Sequence, residues 1–322
     1  MRKKPFRLSL PVLAVLGIST HLLAQVPAWR SSWDARNNAG KEAYSQGNYT
    51  EAIADFQAAV AEAEKDQGKD AKQCLAATLT NLGEVYTETK QYARANTVLA
   101  RAAELWRTFA GPSDVSYAIA LRDIAILRQD QKQYIEAERL FRQALSITQK
   151  AFGAQHSSTT MLMNDLAMLY RQERKFSVAI DLFQQAMKLD EARGSAGALG
   201  VATVSNNLGE LYYSQGRYSD AEGLYKKALQ IRESAFGSDH PDVAVVLSNL
   251  AAVYDKLKRF GEEEESLKRA LRIDEGALGP DTEVVAADLE TLAAFYRDRG
   301  KTTEAAALRD RAKQIRARRA RK

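Results

Sequence analysis

A pattern that recurs every 42 residues constrains this chain more than any other feature. Seven positions, which we call the markers, carry it: Ala39, Leu82, Ile124, Leu166, Leu208, Leu250 and Leu292, all 42 apart except for 43 residues in the first interval. Residues 205–237 show the unit most clearly, as two short amphipathic helices joined by a turn. Length alone would suggest two globular domains, but a chain of repeated helix pairs grows by stacking. The sequence therefore predicts an all-α array of about seven helix-turn-helix copies.

Small residues recur at fixed distances from the markers. The residue after each marker is Gly or Ala, and the thirteenth is Ala in every copy except the sixth, which has Glu263. The twentieth is alanine in all seven copies: Ala59, Ala102, Ala144, Ala186, Ala228, Ala270 and Ala312. Small side chains at fixed points on two helices allow the helices to approach closely. These positions are predicted to lie in the packed interior.

These residues, together with the phrases NLAxxY and AFGxxHPDVA, resemble the tetratricopeptide repeat, and the 42-residue period is similar to that of kinesin light chains. The resemblance covers roughly residues 34–315. It implies a right-handed α-solenoid whose inner face is lined by the first helix of each copy. The predicted repeats lie near 34–66, 70–110, 112–153, 156–194, 198–237, 240–279 and 281–315, within a solenoid spanning 29–315. Departures from the pattern are Arg128 in place of Tyr, Glu263 in place of Ala, and Thr302 and Arg309 in place of apolar residues.

The first 28 residues are predicted to be a signal peptide. A basic head precedes an apolar run from Leu8 to Ala24, and small residues follow that would permit cleavage at Ala24 or Ala28. The run is shorter than the roughly 20 apolar residues that a membrane-spanning helix needs. We expect an exported protein, periplasmic or extracellular, with an uncleaved N-terminal membrane anchor as the alternative.

Composition and motifs disfavour catalysis. Cys74 is the only cysteine, which excludes an intrachain disulfide, and a small buried core residue is the expected role. The sequence lacks HExxH, GxSxG and a glycine-rich phosphate loop, and its acidic runs, such as residues 262–265, are expected on helix surfaces. His156 and His240, 84 residues apart at the same loop position, are interpreted as helix-entry residues. Neither a metal site nor a cofactor is predicted.

A row of short polar residues immediately precedes the markers: Asn38, Asn81, Asp123, Asp165, Asn207, Asn249 and Thr291. In the resembled family such a row binds the main chain of an extended peptide. The alternative is that these side chains bond to the backbone of the neighbouring copy. Positions two before and two after the marker vary between copies and include the further groove candidates Glu84, Asn206 and Glu210, with Thr80, Arg122, Asn164 and Ser248 at corresponding sites.

The predicted function is a scaffold that binds an extended segment of a partner protein in the groove. Basic residues concentrate at the C-terminus, where 309–322 hold eight bases and one acid. The seventh copy is expected to be a charged end cap, followed by a solvated tail at 316–322. A structural spacer tethered to a membrane surface by this tail remains the alternative function, and nucleic acid is not expected as a partner.

Overall fold

A computed structural model describes residues 27–319. Most of the predicted signal peptide, up to residue 26, and the last three residues of the basic tail lie outside the described residues. The described chain forms fourteen α-helices and one short 3₁₀ turn, Gly194–Gly197. The helices are α1 Ala28–Ser45, α2 Tyr49–Ala63, α3 Lys69–Glu88, α4 Tyr92–Phe109, α5 Val115–Asp130, α6 Tyr134–Phe152, α7 Ser157–Gln172, α8 Phe176–Glu191, α9 Ala198–Ser214, α10 Tyr218–Phe236, α11 Pro241–Lys256, α12 Phe260–Leu278, α13 Glu283–Asp298 and α14 Thr302–Arg319.

The predicted all-α solenoid of helix pairs is confirmed. The described residues form two compact units, an N-terminal unit to residue 182 and a C-terminal unit from residue 183, with the division inside α8. In the N-terminal unit each helix from α1 to α7 packs against the next, and α9 to α14 do the same in the C-terminal unit. First helices of successive copies also touch, α1 with α3, α3 with α5, and α9 with α11. We call the surface formed by the first helices of each unit its wall.

The small residues lie where the helices are closest. All seven alanines at the twentieth position after the marker are at most 1% exposed. A Cβ on Gly83 would come within 2.3 Å of Leu99, and one on Gly209 within 2.9 Å of Tyr225. A large side chain of the second helix thus fills the space left by the missing side chain on the first.

The turn inside each helix pair uses the left-handed backbone region in all seven copies. The eighth residue after each marker has a φ between 59° and 76°, although four of the seven are Lys or Arg: Gly47, Lys90, Lys132, Arg174, Gly216, Lys258 and Gly300. Around Lys90, the N–H of Gln91 donates to the carbonyl of Tyr86 and the N–H of Lys90 to that of Thr87. This pair of bonds is the Schellman arrangement, which satisfies the last carbonyls of a helix.

Three of the loops between copies begin with a glycine, and two of these end with a helix-entry histidine. Gly153, Gly237 and Gly279 follow helices with φ of 85–87°, and their ψ of 156–171° is extended rather than left-handed helical. The helix-entry role of the histidines is confirmed, because Nδ1 of His156 accepts the N–H of Ser158 and Nδ1 of His240 that of Asp242, both at 3.2 Å.

The glycines between α8 and α9 allow a close approach of the chain. A Cβ on Gly197 would lie 1.8 Å from the carbonyl oxygen of Asp190, and one on Gly200 would lie 2.0 Å from its Oδ2. Asp190 is 1% exposed and binds Arg193 at 2.6 Å. Gly197 and Gly200 are therefore needed, because the segment packs tightly on a buried carboxylate.

Departures from the repeat pattern are matched by residues in neighbouring copies. Arg128 replaces a tyrosine and donates to Asn96, 32 residues earlier, as Tyr170 does to Glu138 at the same interval. Glu263 replaces an alanine and binds Arg299 of the next copy. The expectation that residues 262–265 lie on a helix surface is wrong for Glu263, which is 7% exposed.

The seventh copy carries charge on its outer helix. Arg309 is exposed, whereas the corresponding second-helix position is buried in the other copies, as at Leu99 and Phe141. The basic residues of α14 largely pair with acids: Arg311 with Glu275, Arg316 with Glu283 and Glu290, and Arg318 with Asp281. These bonds hold α14 to its own and the preceding helix pair.

Among residues 27–319, no helix is both long enough and apolar enough to cross a membrane.

Candidate functional site

The polar residues around the markers connect adjacent copies. A residue immediately before a marker faces the preceding copy, and a residue two before a marker faces the following copy. Three contacts show this arrangement: Asn81 with Asn37, Asp165 with Arg122, and Asn249 with Asn206. The predicted polar row is therefore half of a double row that lies across the junctions between first helices.

Arg122 is the centre of a buried charged cluster in the N-terminal unit. Its Nε donates to Oδ2 of Asp165 at 2.5 Å, and its Nη1 lies 3.4 Å from Oδ1 of Asp123. All three residues are 6–7% exposed. Burial acts to lower the pKa of the Arg122 guanidinium, but Asp165, Asp123 and more distant Glu84 together hold that pKa above its ordinary value. At this junction the positive charge of Arg122 is neutralised by Asp123 of its own copy and by Asp165 of the next.

The other two contacts are amide pairs. Nδ2 of Asn81 donates to Oδ1 of Asn37 at 3.2 Å, and Nδ2 of Asn249 donates to Oδ1 of Asn206 at 2.9 Å. An asparagine amide offers two N–H donors and one acceptor oxygen. In each pair, the NH2 group of the accepting asparagine and the carbonyl oxygen of the donating asparagine are not used in the bond between them. Both pairs lie at a junction between two first helices.

Two junctions have hydroxyl side chains that bond within their own helix instead. Thr80, Ser248 and Thr291 donate to the carbonyls of Ala76, Ala244 and Ala287 at 2.9–3.0 Å. Such bonds to the fourth preceding carbonyl satisfy the hydroxyl without a neighbour. Within each unit, the positions of the double row thus recur from junction to junction, whereas the hydrogen bonds between copies do not.

The predicted site residues have different environments. Asp123, Asp165 and Asn206 are buried; Asn38 and Thr291 are exposed; Asn81, Glu84, Asn207, Glu210 and Asn249 are intermediate. Asn38 precedes the first marker, and no copy precedes it among residues 27–319, which agrees with its exposure. The structure brings Glu84, Asp123 and Asp165 together around Arg122 in one unit, and Asn206 and Asn249 together in the other.

Asn37 was missed by the sequence reasoning, and Arg122 was included only among the variable positions. The signal that would have identified both is the spacing of the partners, which lie 43 or 44 residues apart in all three pairs. A residue two before one marker is 43 residues from the residue one before the next, so pairs of compatible chemistry at that interval are candidates for contact.

The remaining candidate features are the cysteine and two surface hollows. Within residues 27–319, no three His, Cys, Asp or Glu side chains are grouped so that they could hold a metal ion. Cys74 is buried and accepts a bond from Arg30 at 2.8 Å, and burial raises the pKa of its thiol to about 11. One open hollow lies along α12 and another is lined by Glu290, Ala294, Arg297, Arg309 and Lys313.

Comparison with solved structures shows the same fold at low sequence identity. Crystal structures of a putative kinesin light chain with nearly identical TPR-like repeats from Podosopora anserina (22% identity, 66% of this chain, 99% of that one, TM-score 0.53) and of BtubC (BKLC) from P. vanneervenii (22%, 79%, 94%, 0.55) are similar. The Rap conjugation gene regulator of plasmid pLS20, solved in complex with the Phr* peptide, is also similar (16%, 96%, 81%, 0.58).

A search of curated proteins gave no match to the sequence. The tetratricopeptide repeat family model matches residues 35–108, 74–150, 116–192 and 200–276, which together cover well over half of the sequence. With its helix pairs and their close-packed small residues, the chain belongs to the tetratricopeptide repeat family.

Proposed function

We propose that this chain is a non-catalytic scaffold that binds an extended segment of a partner protein along the wall of first helices. The observation that carries the proposal is the amide pair Asn206–Asn249, in which Asn206 is buried while half-buried Asn249 keeps its second N–H and its carbonyl oxygen outside the bond between the two. The main chain of an extended peptide offers one N–H and one C=O per residue. The N–H of an asparagine amide can donate to a peptide carbonyl, and its carbonyl oxygen can accept from a peptide N–H.

Side chains beside the pair suggest the chemistry of the ligand. Glu210 is partly exposed on α9, two residues after its marker, and Glu84 has the same position on α3. At the corresponding place in the sixth copy stands Ala252, which is also partly exposed. Acidic residues at two of these positions and a small residue at a third favour a segment with basic or apolar side chains.

The solved Rap regulator adds a precedent for the fold, because that protein was crystallised with a peptide. Its identity to this chain is 16%, so the likeness extends to the fold and the peptide enters here as part of the proposal.

Peptide binding can be tested with an array of defined dodecapeptides that vary systematically in charge and apolar content. The tightest binder is then titrated against the wild-type protein and against Asn249→Ala and Asn207→Ala. Loss of one or two hydrogen bonds to the main chain is expected to weaken binding about tenfold. Thr291→Ala is the matched control, since its hydroxyl bonds within its own helix, and its affinity should stay within about twofold.

Thermal melting of each variant separates binding from folding. Asn249→Ala also removes the bond to Asn206, so its melting temperature is expected to fall, and affinities are compared at a temperature where every variant is folded. The proposal is refuted if no peptide of the array binds, or if folded Asn249→Ala binds the peptide as tightly as wild type does.

Export is a second part of the proposal. It rests on the basic and apolar pattern of residues 1–28. N-terminal sequencing of the protein recovered from a bacterial periplasmic fraction should begin just after Ala24 or Ala28; recovery of the intact N-terminus in the cytoplasm would contradict export.

A further inference from the structure

Glu263 occupies a position that no other copy uses for a charged residue. The other six copies place there the alanines Ala52, Ala95, Ala137, Ala179, Ala221 and Ala305, each at most 3% exposed. Glu263 is itself 7% exposed, and its Oε2 accepts a bond from Nη2 of Arg299 at 2.5 Å. It therefore places a carboxyl group inside the contact between the sixth helix pair, α11–α12, and the seventh, α13–α14.

Arg299 is held by more than this carboxylate. Its guanidinium lies 4.1 Å from the ring centre of Phe260 and 3.9 Å from that of Phe295. Its Nη1 donates to the carbonyl of Phe295 at 3.1 Å, and Asp255 is 4.0 Å away. A cation over aromatic faces is attracted by the rings. Arg299 keeps these partners when Glu263 is neutral.

The surroundings of Glu263 oppose its negative charge. The charged groups that act on it are Asp255 of α11, Lys258 of the turn before α12, and Asp298 and Arg299 at the end of α13. With Glu263 ionised this cluster holds three acids against two bases, and Nε of Arg299 is buried without a hydrogen-bond partner among the described residues. A buried ion pair is favourable only where further hydrogen bonds satisfy both ions.

We infer that docking of the seventh helix pair onto the sixth is proton-linked through Glu263, and that it tightens as the pH falls from neutral towards 5. Burial raises the pKa of Glu263 to about 7, against the opposing effect of Arg299. Glutamate in an unfolded or undocked chain titrates near about 4.3. The docked state thus binds the proton more tightly, and the stability of docking is fully present at low pH and falls as the pH rises to about 7.

The location gives the proton an effect on the groove. In a stacked array each copy is stabilised by its neighbours, and the last copy has only one. The first helix of the seventh pair, α13, supplies the last section of the wall in the C-terminal unit. Loosening of this pair at higher pH would shorten the wall, independently of what the wall binds.

Amide hydrogen exchange of the full chain tests the inference. The exchange is measured by mass spectrometry of fragments from α13 and α14, and the rates are corrected for the intrinsic effect of pH on exchange. We expect protection of these helices in wild type to be about tenfold greater at pH 5.5 than at pH 8. In Glu263→Gln, a neutral isostere, protection should be high at both pH values. Glu265→Gln is the control, since Glu265 is exposed on the same helix, and it should behave as wild type.

Glu263→Ala provides an independent variant, because it restores the residue found in the other copies and should also remove the pH dependence. The inference is overturned if Glu263→Gln retains the pH dependence of wild type, which would assign it to another group. It is equally overturned if Glu263→Gln is less protected than wild type at pH 8, because the ionised pair would then be the stabilising form.

Discussion

The substitution Arg122→Leu tests whether the double row of polar residues stabilises the array. It removes the cation from between Asp123 and Asp165, both of which are 6–7% exposed, and leaves two carboxylates buried at one junction. Removing one partner of a buried ion pair typically costs about 3–5 kcal/mol. An exposed pair is worth at most about 1 kcal/mol. Arg139→Leu, which breaks the exposed pair between Arg139 and Glu136, is therefore the matched control.

Urea unfolding at pH 7, followed by circular dichroism, measures the difference. We expect Arg122→Leu to lower the free energy of unfolding by about 3–5 kcal/mol and Arg139→Leu by about 1 kcal/mol or less. The double variant Arg122→Leu/Asp165→Leu removes one of the stranded carboxylates as well and should recover part of the loss. A cost below about 1 kcal/mol for Arg122→Leu, or no recovery in the double variant, would refute the reasoning.

Three further predictions concern packing, backbone and reactivity. Gly197→Ala should lower the free energy of unfolding in urea by about 1–3 kcal/mol, because its Cβ would meet the main chain of Asp190. Gly276→Ala, which has no atom within 4 Å of the new Cβ, should raise that free energy by about 0.5–1 kcal/mol. Ala228→Leu should cost about 1–3 kcal/mol, since Ala228 is 0% exposed between helices, and unchanged unfolding would contradict its packed position. Alkylation of Cys74 by iodoacetamide should be at least about 100-fold slower in the native protein at pH 8 than in urea and should accelerate as the pH rises towards 11, because burial raises the pKa of the thiol to about 11.

The helix pairs and their packed faces could be predicted because steric requirements repeat identically in every copy. An alanine such as Ala228 has one physical use at a close helix contact, so its recurrence at a 42-residue interval leaves little choice. The turn residues were not predicted for the opposite reason. Lys90 and Lys258 adopt a left-handed backbone conformation. In a sequence, only a glycine, such as Gly216, indicates that conformation clearly.

Polar side chains were harder to place because the same residue can bond to a neighbour or to a guest. The sequence favoured a peptide groove for Asn249, with a bond to the neighbouring copy's backbone as the alternative, and the structure shows a contact with the side chain of Asn206. Asp165 fits the predicted groove role less well than Asn249 does, since its carboxylate is buried and bonded to Arg122. Only knowledge of which copy each position faces separates these uses.

The direction in which a position faces also explains the two ends of the array. Asn38 would face a preceding copy that does not exist among the helix pairs, and it is exposed. Glu290, two before the last marker, would face a following copy; it binds Arg316 of its own helix pair instead. Under the proposed function, a partner segment would meet its main-chain contacts at the junctions between copies, where Asn249 also bonds to Asn206. Binding and stability would then depend on the same junction, so a substitution such as Asn249→Ala must be measured for both.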